Sequence, residues 1–327
     1  MIRATLFTIA FATPAAANVD SLLNDYILPS WDTFAASAAT MADATAADCS
    51  PENVAPYYND AFDHWLNVRN LKLGPTENGT LNIEFWPDDR GFIPRTLADL
   101  IADQDPIAYD ADEYATMSIA ARGLMSIEML VFDDRFNGYG ADDYTCDLLK
   151  QITADFSAEV ARQSNGWAND YAPIMLGEGD GVSTPVIDEE HAFATFYTQI
   201  VSGLENLTIQ NVNRPLGTFD RPRETRANAW RSDRALRNIV LSADAMVEQA
   251  HLLMGADLPA TTAALGELHK TADRVTDPSF ANIETDTQAW LLLQIMGQNV
   301  DAIGAGVSNE IGLVMGISAG FNASDGD

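Results

Sequence analysis

The chain of 327 residues carries 48 acidic and 18 basic side chains, a formal net charge of −30 at pH 7. A surface of this charge repels phosphate backbones and anionic membranes, so nucleic acid and membrane-surface partners are disfavoured. Its length suggests about two domains and is sufficient to bury a sizeable core. The same acidity attracts cations weakly everywhere, so an abundance of carboxylates is by itself no argument for a metal site.

Residues 1–17 have the three-part layout of a secretory signal peptide. Arg3 gives a basic start, Ala4 to Ala12 form an apolar run, and Pro14 precedes an Ala-rich cleavage pattern. The apolar run is shorter than the ~20 residues of a membrane-spanning helix. We therefore predict cleavage near Asn18, a periplasmic or otherwise extracytoplasmic location, and no transmembrane segment in the mature chain. A buried N-terminal helix is the alternative.

The chain contains two cysteines, Cys49 and Cys146. In an exported protein two thiols predict one disulfide, which closes a loop of roughly 100 residues and stabilises by ~4 kcal/mol in the chain-entropy model. Two buried free thiols are the alternative.

Apolar residues recur at spacings of three and four along most of the chain, and strand signals are nearly absent, which predicts an all-α fold. In the first half the predicted helices cover residues 19–47, 51–73, 96–102 and 110–132, followed by a long helix from 143 past 160. Residues 74–96 are predicted to be irregular because Gly and Pro turn signals recur there. In the second half the predicted helices cover residues 188–211, 223–254, 261–275 and 285–300.

The best candidate for a linker is Gly177 to Pro185, which is rich in Gly and charge. We predict a signal peptide at 1–17, an N-terminal helical bundle at 18–177 and a C-terminal helical bundle at 178–327. About four main helices in each half suit two bundles, with a candidate site at their interface.

Glu128 is the leading site residue because it lies on an otherwise apolar stripe with Leu124, Met125, Val131 and Phe132. Burying an unpaired carboxylate is costly, so it needs a cation, a metal or a hydrogen-bond donor, or else stays protonated. The functional interpretation is a ligand-binding or metal-binding carboxylate. The alternatives are a structural ion pair or a side chain that reaches solvent.

Gly123 lies in the same predicted helix, where Gly costs ~1 kcal/mol relative to Ala. Close approach of another backbone or of a ligand would explain it.

Residues 81–96 contain Trp86 and Asp88, and a loop of this length is either a ligand-binding segment or an ordered lid on a bundle.

The sequence Trp230-Arg231-Ser232 is predicted to open the helix at 223–254. Arg231 is a candidate donor to an anionic ligand or to Glu128, and a solvent-exposed Arg is the alternative.

The histidines form no His-Glu-x-x-His zinc motif. Glu248 and His251 form one Glu-x-x-His pair, and Asp188 with His191 is a weaker candidate. A di-iron bundle needs two such pairs and two further glutamates, so it is a minor alternative.

Several short segments occur in an order that carries a family resemblance. They are Leu-Gly-Pro at 73–75, Ile-Glu-Phe-Trp-Pro-Asp at 83–88, Gly-Leu-Met-Ser-Ile-Glu at 123–128, Cys-Asp-Leu-Leu at 146–149, Trp-Arg-Ser at 230–232 and Gly-Phe-Asn-Ala-Ser-Asp-Gly-Asp at 320–327. Together they resemble the imelysin-like family over most of the mature chain, with residues 123–128 similar to its Gly-x-His-x-x-Glu signature.

The resemblance implies two helical bundles with a site between them, export, a link to envelope iron-uptake components, and by name an imelysin metallopeptidase. Gly123 and Glu128 match the signature, whereas Met125 occupies the position of its metal-ligating His. A thioether is a poor ligand for hard or borderline divalent ions. The resemblance therefore leaves open a divalent metal such as iron or zinc, with Glu128 as a ligand.

Three functions remain in view. The first is a binding protein that holds a small ligand, a metal or a partner at the domain interface, linked to iron uptake, with Gly123, Met125, Glu128, Trp86, Asp88, Arg231 and Ser232 at the site. The second is a metallopeptidase of the imelysin type, which needs a complete metal site and a water-activating base. The third is a structural envelope protein without a small-molecule site.

Overall fold

The computed structural model describes residues 18–178 and 187–317. The predicted signal peptide and most of the predicted linker lie outside these described residues, as do residues 318–327. Within the described ranges every regular element is a helix, apart from an isolated antiparallel bridge between Thr218 and Arg221. The predicted all-α class is confirmed.

The first half packs its helices around buried aromatic side chains. Its main helices are α1 (19–47, with a π-helical stretch at Leu22–Ile27), α2 (Pro51–Leu66), α3 (Thr76–Ile83), α4 (Phe92–Asp103), α5 (Gly123–Phe132) and α6 (144–175, with a π-helical stretch at Trp167–Tyr171). Trp31 of α1 is fully buried, and its ring centroid lies 6.3 Å from Trp65 of α2 and 6.4 Å from Trp167 of α6. Large aromatic rings therefore fix how these three helices cross.

The second half consists of long helices and one extended connection. They are α7 (189–216, with a π-helical stretch at Leu207–Asn213), α8 (Ala235–Met254), α9 (Pro259–Ala272) and α10 (287–315, with a π-helical stretch at Ser308–Gly312). Helices α9 and α10 pack along each other, and α7 and α10 both pack on α8. Asp188 caps α7 by accepting a hydrogen bond from the backbone N–H of His191, as an N-cap Asp does.

The two halves share one buried hydrophobic cluster, which extends from Val19 to Ile311. Helix α8 of the second half packs against both α1 and α2 of the first. The division into two bundles with a boundary near residue 177 stays a prediction.

The predicted helix at 110–132 is wrong over its first half. Residues 111–122 form a one-turn α-helix (Ala111–Tyr114) and a 3-10 turn (Ile119–Ala121), and α5 begins at Gly123, whose φ of +71° disfavours residues with a side chain. A Cβ atom at this position would lie 2.5 Å from the carbonyl oxygen of Asn82 and 2.4 Å from that of Ile83. Close approach of another backbone, the end of α3, therefore explains this Gly.

The predicted irregular segment at 74–96 is also corrected. It contains α3, whose buried residues Thr76, Gly79 and Ile83 follow helical spacing over barely two turns. Helix α4 begins four residues earlier than the predicted Thr96, because the Asp88 carboxylate accepts hydrogen bonds of 2.8 Å from the backbone N–H groups of the first two residues of α4.

The predicted helix at 223–254 begins only at Ala235. Ala229 and Asp233 have positive φ angles of 48° and 57°, which a continuous α-helix excludes. Trp230-Arg231-Ser232 therefore lies in the connection before α8 and does not open the helix.

Cys49, which follows α1, and Cys146, in the first turn of α6, form the predicted disulfide. The bond closes the chain over a sequence separation of 97 residues and ties α6 to the connection between α1 and α2. Among the described residues, no helix combines the length and apolar character needed to cross a membrane.

Candidate functional site

A cavity of about 160 Å³ lies where the first half of the chain meets the second. Its walls come from the segment before α4 and the first turn of α4, from α5 and from residues 214–231 of the second half. The sequence-predicted residues in the walls are Trp86, Asp88, Met125, Glu128 and Arg231. Tertiary structure thus brings together five candidates from three separate segments, in what we call the Glu128 cavity.

Glu128 is only 3% exposed and is held by the connection before α8. Its Oε1 atom accepts hydrogen bonds from the backbone N–H of Ser232 at 3.1 Å and from the Ser232 hydroxyl at 2.9 Å. Burial raises the pKa of Glu128 above its ordinary value, and this effect outweighs the nearby charge of Arg231 and the hydrogen bonds from Ser232. Ser232, another predicted residue, therefore acts on the cavity by positioning this carboxyl group.

Arg231 lines the cavity, but its guanidinium does not donate to Glu128. Its Nε lies 2.6 Å from Oδ2 of Asp133, and its guanidinium carbon lies 4.4 Å from the centroid of the Trp230 ring. Burial alone would raise the pKa of Asp133, but hydrogen bonds from Arg135 and Arg231 outweigh it and hold that pKa well below its usual range. The pKa values of these two carboxyl groups are thus shifted in opposite directions, upward for Glu128 in the cavity wall and downward for Asp133, which holds Arg231.

Trp86 forms a wall between two guanidinium groups. The guanidinium carbons of Arg69 and Arg214 each lie 5.8 Å from the centroid of the Trp86 ring, a distance typical of cation–π contact. Arg214 is also paired with Asp89. Asp88 belongs to the same wall, but its carboxylate is occupied by the cap of α4.

Gly123 and Met125 have different roles from each other. Gly123 is absent from the cavity wall and allows α5 to approach the end of α3. Met125 is 4% exposed and lines the cavity together with Met129, so thioether groups stand close to Glu128.

The donor set around Glu128 does not fit a divalent metal ion. The wall contains thioethers and the Arg231 guanidinium, and one Glu128 oxygen already accepts two hydrogen bonds. The other two acids of the wall are also engaged, Asp88 by the cap of α4 and Asp89 by Arg214. A guanidinium repels a cation, and thioethers bind hard and borderline divalent ions poorly. Residues 18–178 and 187–317 contain no group of three or more His, Cys, Asp or Glu side chains arranged to hold a metal.

Residues of the two candidate di-iron pairs form other hydrogen bonds. The ring nitrogens of His251 lie 3.3 Å from the carbonyl oxygen of Ala256 and 3.1 Å from the hydroxyl of Thr262, and Asp188 caps α7. Neither pair therefore contributes to the Glu128 cavity.

Glu84 is a buried carboxylate that the sequence reasoning did not select. Its oxygens accept hydrogen bonds from Trp65 Nε1 at 2.7 Å, from Arg69 Nε and Nη2 at 2.7 and 2.9 Å, and from Asn228 Nδ2 at 2.8 Å. Asn228 in turn accepts a hydrogen bond of 2.7 Å from Asn238 of α8. This Glu84 network joins α2 to the second half, and its one sequence signal was an acid between the apolar residues 83 and 85.

Fold and site define an all-helical, disulfide-linked protein with a small, mixed-polarity cavity built by both halves of its chain. Within that class the chain belongs to the imelysin family: the family profile, Imelysin of the peptidase M75 group, matches residues 27–300. The resemblance seen in the sequence is thereby confirmed.

Solved structures share this fold. An imelysin-like protein from Psychrobacter arcticus 273-4 superposes with a TM-score of 0.76 at 15% identity, covering 96% of this chain and 100% of its own. A protein from Parabacteroides distasonis ATCC 8503, named as an iron-regulated protein A precursor, gives a TM-score of 0.70 at 13% identity, covering 94% of this chain and 96% of its own. No curated protein sequence matches the chain. At these identities the likeness shows a shared fold.

Proposed function

We propose that this protein is an exported binding protein that holds a small polar ligand in the Glu128 cavity. The observation that carries the proposal is the placement of a buried carboxyl group in the wall of a cavity that both halves of the chain build. A buried polar group at such a junction is expensive to maintain, so it favours a role in recognition over one in packing.

The chemistry of the cavity selects a ligand that donates hydrogen bonds. A carboxylate offers about four lone-pair positions, and the two Ser232 donors with the backbone N–H of Arg231 leave acceptor capacity for one N–H or O–H group of the ligand. Met125, Met129 and the aromatic wall at Trp86 supply apolar contacts around that anchor. A volume of about 160 Å³ suits a compact ligand, or one end of a longer molecule.

Calorimetric titration with two small hydrogen-bond donors, ethanolamine and acetamide, tests the proposal. We expect at least one of them to bind with a stoichiometry of one, and Glu128→Gln to weaken that binding by about 10-fold or more, as loss of a hydrogen bond to a charged group does. Glu267→Gln is the matched control, because Glu267 lies on α9 and pairs with Lys270 far from the cavity wall. Absence of binding by both probes, or equal affinities in the two variants, would overturn the proposal.

The location and the physiological context form part of the same proposal. Export is supported by the signal-peptide pattern and by the disulfide, which persists in oxidising compartments. A link to envelope iron uptake is supported by family membership and by the name of the Parabacteroides distasonis protein. N-terminal sequencing of the exported protein should begin near Asn18, and an uncleaved N-terminus would count against export by this route.

A metallopeptidase is the competing function, because the family name includes it. The poor fit of the donor set to a divalent ion argues against it. We expect titration with Fe²⁺ and Zn²⁺ to show no stoichiometric site, and a casein digestion assay to show no cleavage above background. Stoichiometric metal binding that Glu128→Gln abolishes would revive the peptidase.

A further inference from the structure

A second cavity, of about 590 Å³, shares Trp86 and Pro87 with the Glu128 cavity and no other lining residue. Its walls come from the end of α2 and the segment after it, from α7 and from α8. It therefore also lies where the first half of the chain meets the second, and its volume falls in the range of pockets for organic molecules. We call it the Lys72 cavity.

Lys72 in its wall is an uncompensated cation in a very acidic protein. The chain has three lysines, and Lys150 and Lys270 pair with Asp147 and Glu267 at 3.5 and 2.7 Å. Lys72 has no ion-pair partner in the part of the chain that the structure describes, although the sequence has 48 acidic residues. An isolated ammonium group at a cavity wall favours an anion.

The same wall contains buried hydrogen-bonding groups without partners. The Nδ2 atom of Asn211 and the Oγ atom of Ser242 have no hydrogen-bond partner among the described residues, and these residues are 3% and 5% exposed. The Asn211 Oδ1 atom accepts from Arg69 Nη1 at 3.4 Å, which assigns its amino group as the free donor. Buried polar groups are nearly always paired, so the donors on Asn211 and Ser242 indicate a missing acceptor. The Oε1 atom of Gln210 in the same wall also lacks a partner among the described residues, which leaves a place for a donor beside that acceptor.

Local backbone geometry agrees with a binding role. Asn211 lies in the π-helical stretch Leu207–Asn213 of α7, and single π-helical turns inside α-helices occur frequently at functional sites. Arg69 is satisfied by the bidentate pair with Glu84, so it leaves Lys72 as the charge available to a ligand. The wall also contains one acid, Glu77, which is solvent-exposed as Lys72 is and forms no ion pair with it, so water screens the fields of both.

Apolar side chains complete the wall and decide the kind of anion. Leu66, Leu207, Met246 and the Trp86 ring line the same cavity, which is larger than an inorganic ion requires. Such a lining suits a ligand with an organic body and one charged end.

We propose that the Lys72 cavity binds a small organic anion that bears a carboxylate, with Lys72 as the charged contact and Asn211 and Ser242 as hydrogen-bond donors. The carboxylate would accept a charge-assisted hydrogen bond from the ammonium group and pair the two buried donors, while its body covers the apolar wall. This site is separate from the Glu128 cavity, and neither proposal depends on the other.

Isothermal titration calorimetry with matched pairs of probes tests the charge. Benzoate and succinate are compared with benzamide and succinamide, which keep the shape and lose the charge, and inorganic phosphate tests for an anion without an organic body. We expect at least one carboxylate to bind at least 10-fold more tightly than its amide and than phosphate. Equal binding of acids and amides, binding of phosphate alone, or no binding by either acid would overturn the proposal.

Variants of the whole chain locate the site. Lys72→Met should weaken carboxylate binding about 10-fold or more. Lys270→Met removes the same charge on α9 and should leave it unchanged. Ser242→Ala should weaken carboxylate binding about threefold or more. The free energy of unfolding of the ligand-free protein should stay unchanged, because the Ser242 hydroxyl has no hydrogen-bond partner to lose. Equal affinities of the Lys72→Met and Lys270→Met variants for the carboxylate would refute the site. Glu128→Gln should leave carboxylate binding unchanged and affect binding only in the Glu128 cavity.

Discussion

Removing the Glu84 carboxylate should destabilise the protein strongly, because it leaves a largely buried guanidinium without its partner. In Glu84→Gln the side chain keeps its size, but the guanidinium of Arg69 loses a bidentate partner at 2.7 and 2.9 Å. The side chains of Glu84 and Arg69 are 4% and 18% exposed, so water replaces little of the lost interaction. Breaking a buried ion pair at one partner costs about 3–5 kcal/mol, and we expect a loss of free energy of unfolding in that range.

A double-mutant cycle separates the pair from the rest of the network. Arg69→Met removes the cation, while Trp65 and Asn228 still donate to Glu84. The double variant Arg69→Met with Glu84→Gln contains no unpaired buried charge, so it should be less destabilised than the sum of the two single variants by about 2 kcal/mol or more.

Urea unfolding at pH 7, followed by Trp fluorescence with the disulfide intact, measures the free energies of unfolding. The variants are compared on the condition that the dependence of this free energy on urea concentration, the m value, is the same. The exposed pair of Glu267 and Lys270 is the control, and Glu267→Gln should change the free energy of unfolding by less than about 0.5 kcal/mol. A loss below about 1 kcal/mol for Glu84→Gln, or a coupling below about 0.5 kcal/mol, would show that the ion pair of Glu84 and Arg69 contributes little to stability.

Three further predictions concern the backbone, the disulfide and the buried carboxyl group. Gly123→Ala should lower the free energy of unfolding by about 2 kcal/mol or more, because the left-handed φ and the carbonyl oxygens of α3 both oppose a Cβ atom. Cys49→Ser combined with Cys146→Ser should lower it by about 4 kcal/mol through the loss of a cross-link spanning 97 residues. The raised folded-state pKa of Glu128 means that its stabilising effect is present below the unfolded-state pKa and is lost as pH rises through the folded-state pKa. The free energy of unfolding of the unmodified protein, minus that of Glu128→Gln, should therefore fall with rising pH.

Each of these results has its own control. Gly266→Ala in α9, where no atom lies within 4 Å of the added Cβ, should stabilise by about 0.5–1 kcal/mol, and equal losses in both Gly variants would contradict the steric argument. For the disulfide, the unmodified protein reduced with dithiothreitol should have the same free energy of unfolding as the double Ser variant. A urea midpoint that the double substitution leaves unchanged would refute the expected loss. For Glu128, a difference in the free energy of unfolding between the unmodified protein and Glu128→Gln that rises with pH would contradict a raised pKa in the folded state.

Local sequence patterns determined the class of fold and the disulfide, and they singled out Glu128 as the leading candidate for a site. Spacings of three and four predict helices because a helix repeats every 3.6 residues wherever it lies. Each of two cysteines has one possible partner, and a carboxylate among apolar residues is conspicuous at Glu128 without any knowledge of its neighbours. The family membership also followed from short segments in order.

Only the tertiary structure decided where helices begin and which charged groups meet. Helix α5 starts at Gly123 because the end of α3 occupies the space beside it, and the connection before α8 is bent at Ala229 and Asp233 so that Ser232 reaches Glu128. Such contacts join residues that lie 40 to 104 positions apart, and the periodicity of one segment carries no information about the other. The same holds for Glu84, which its neighbours in sequence leave unremarkable and which three distant donors make the centre of a buried network.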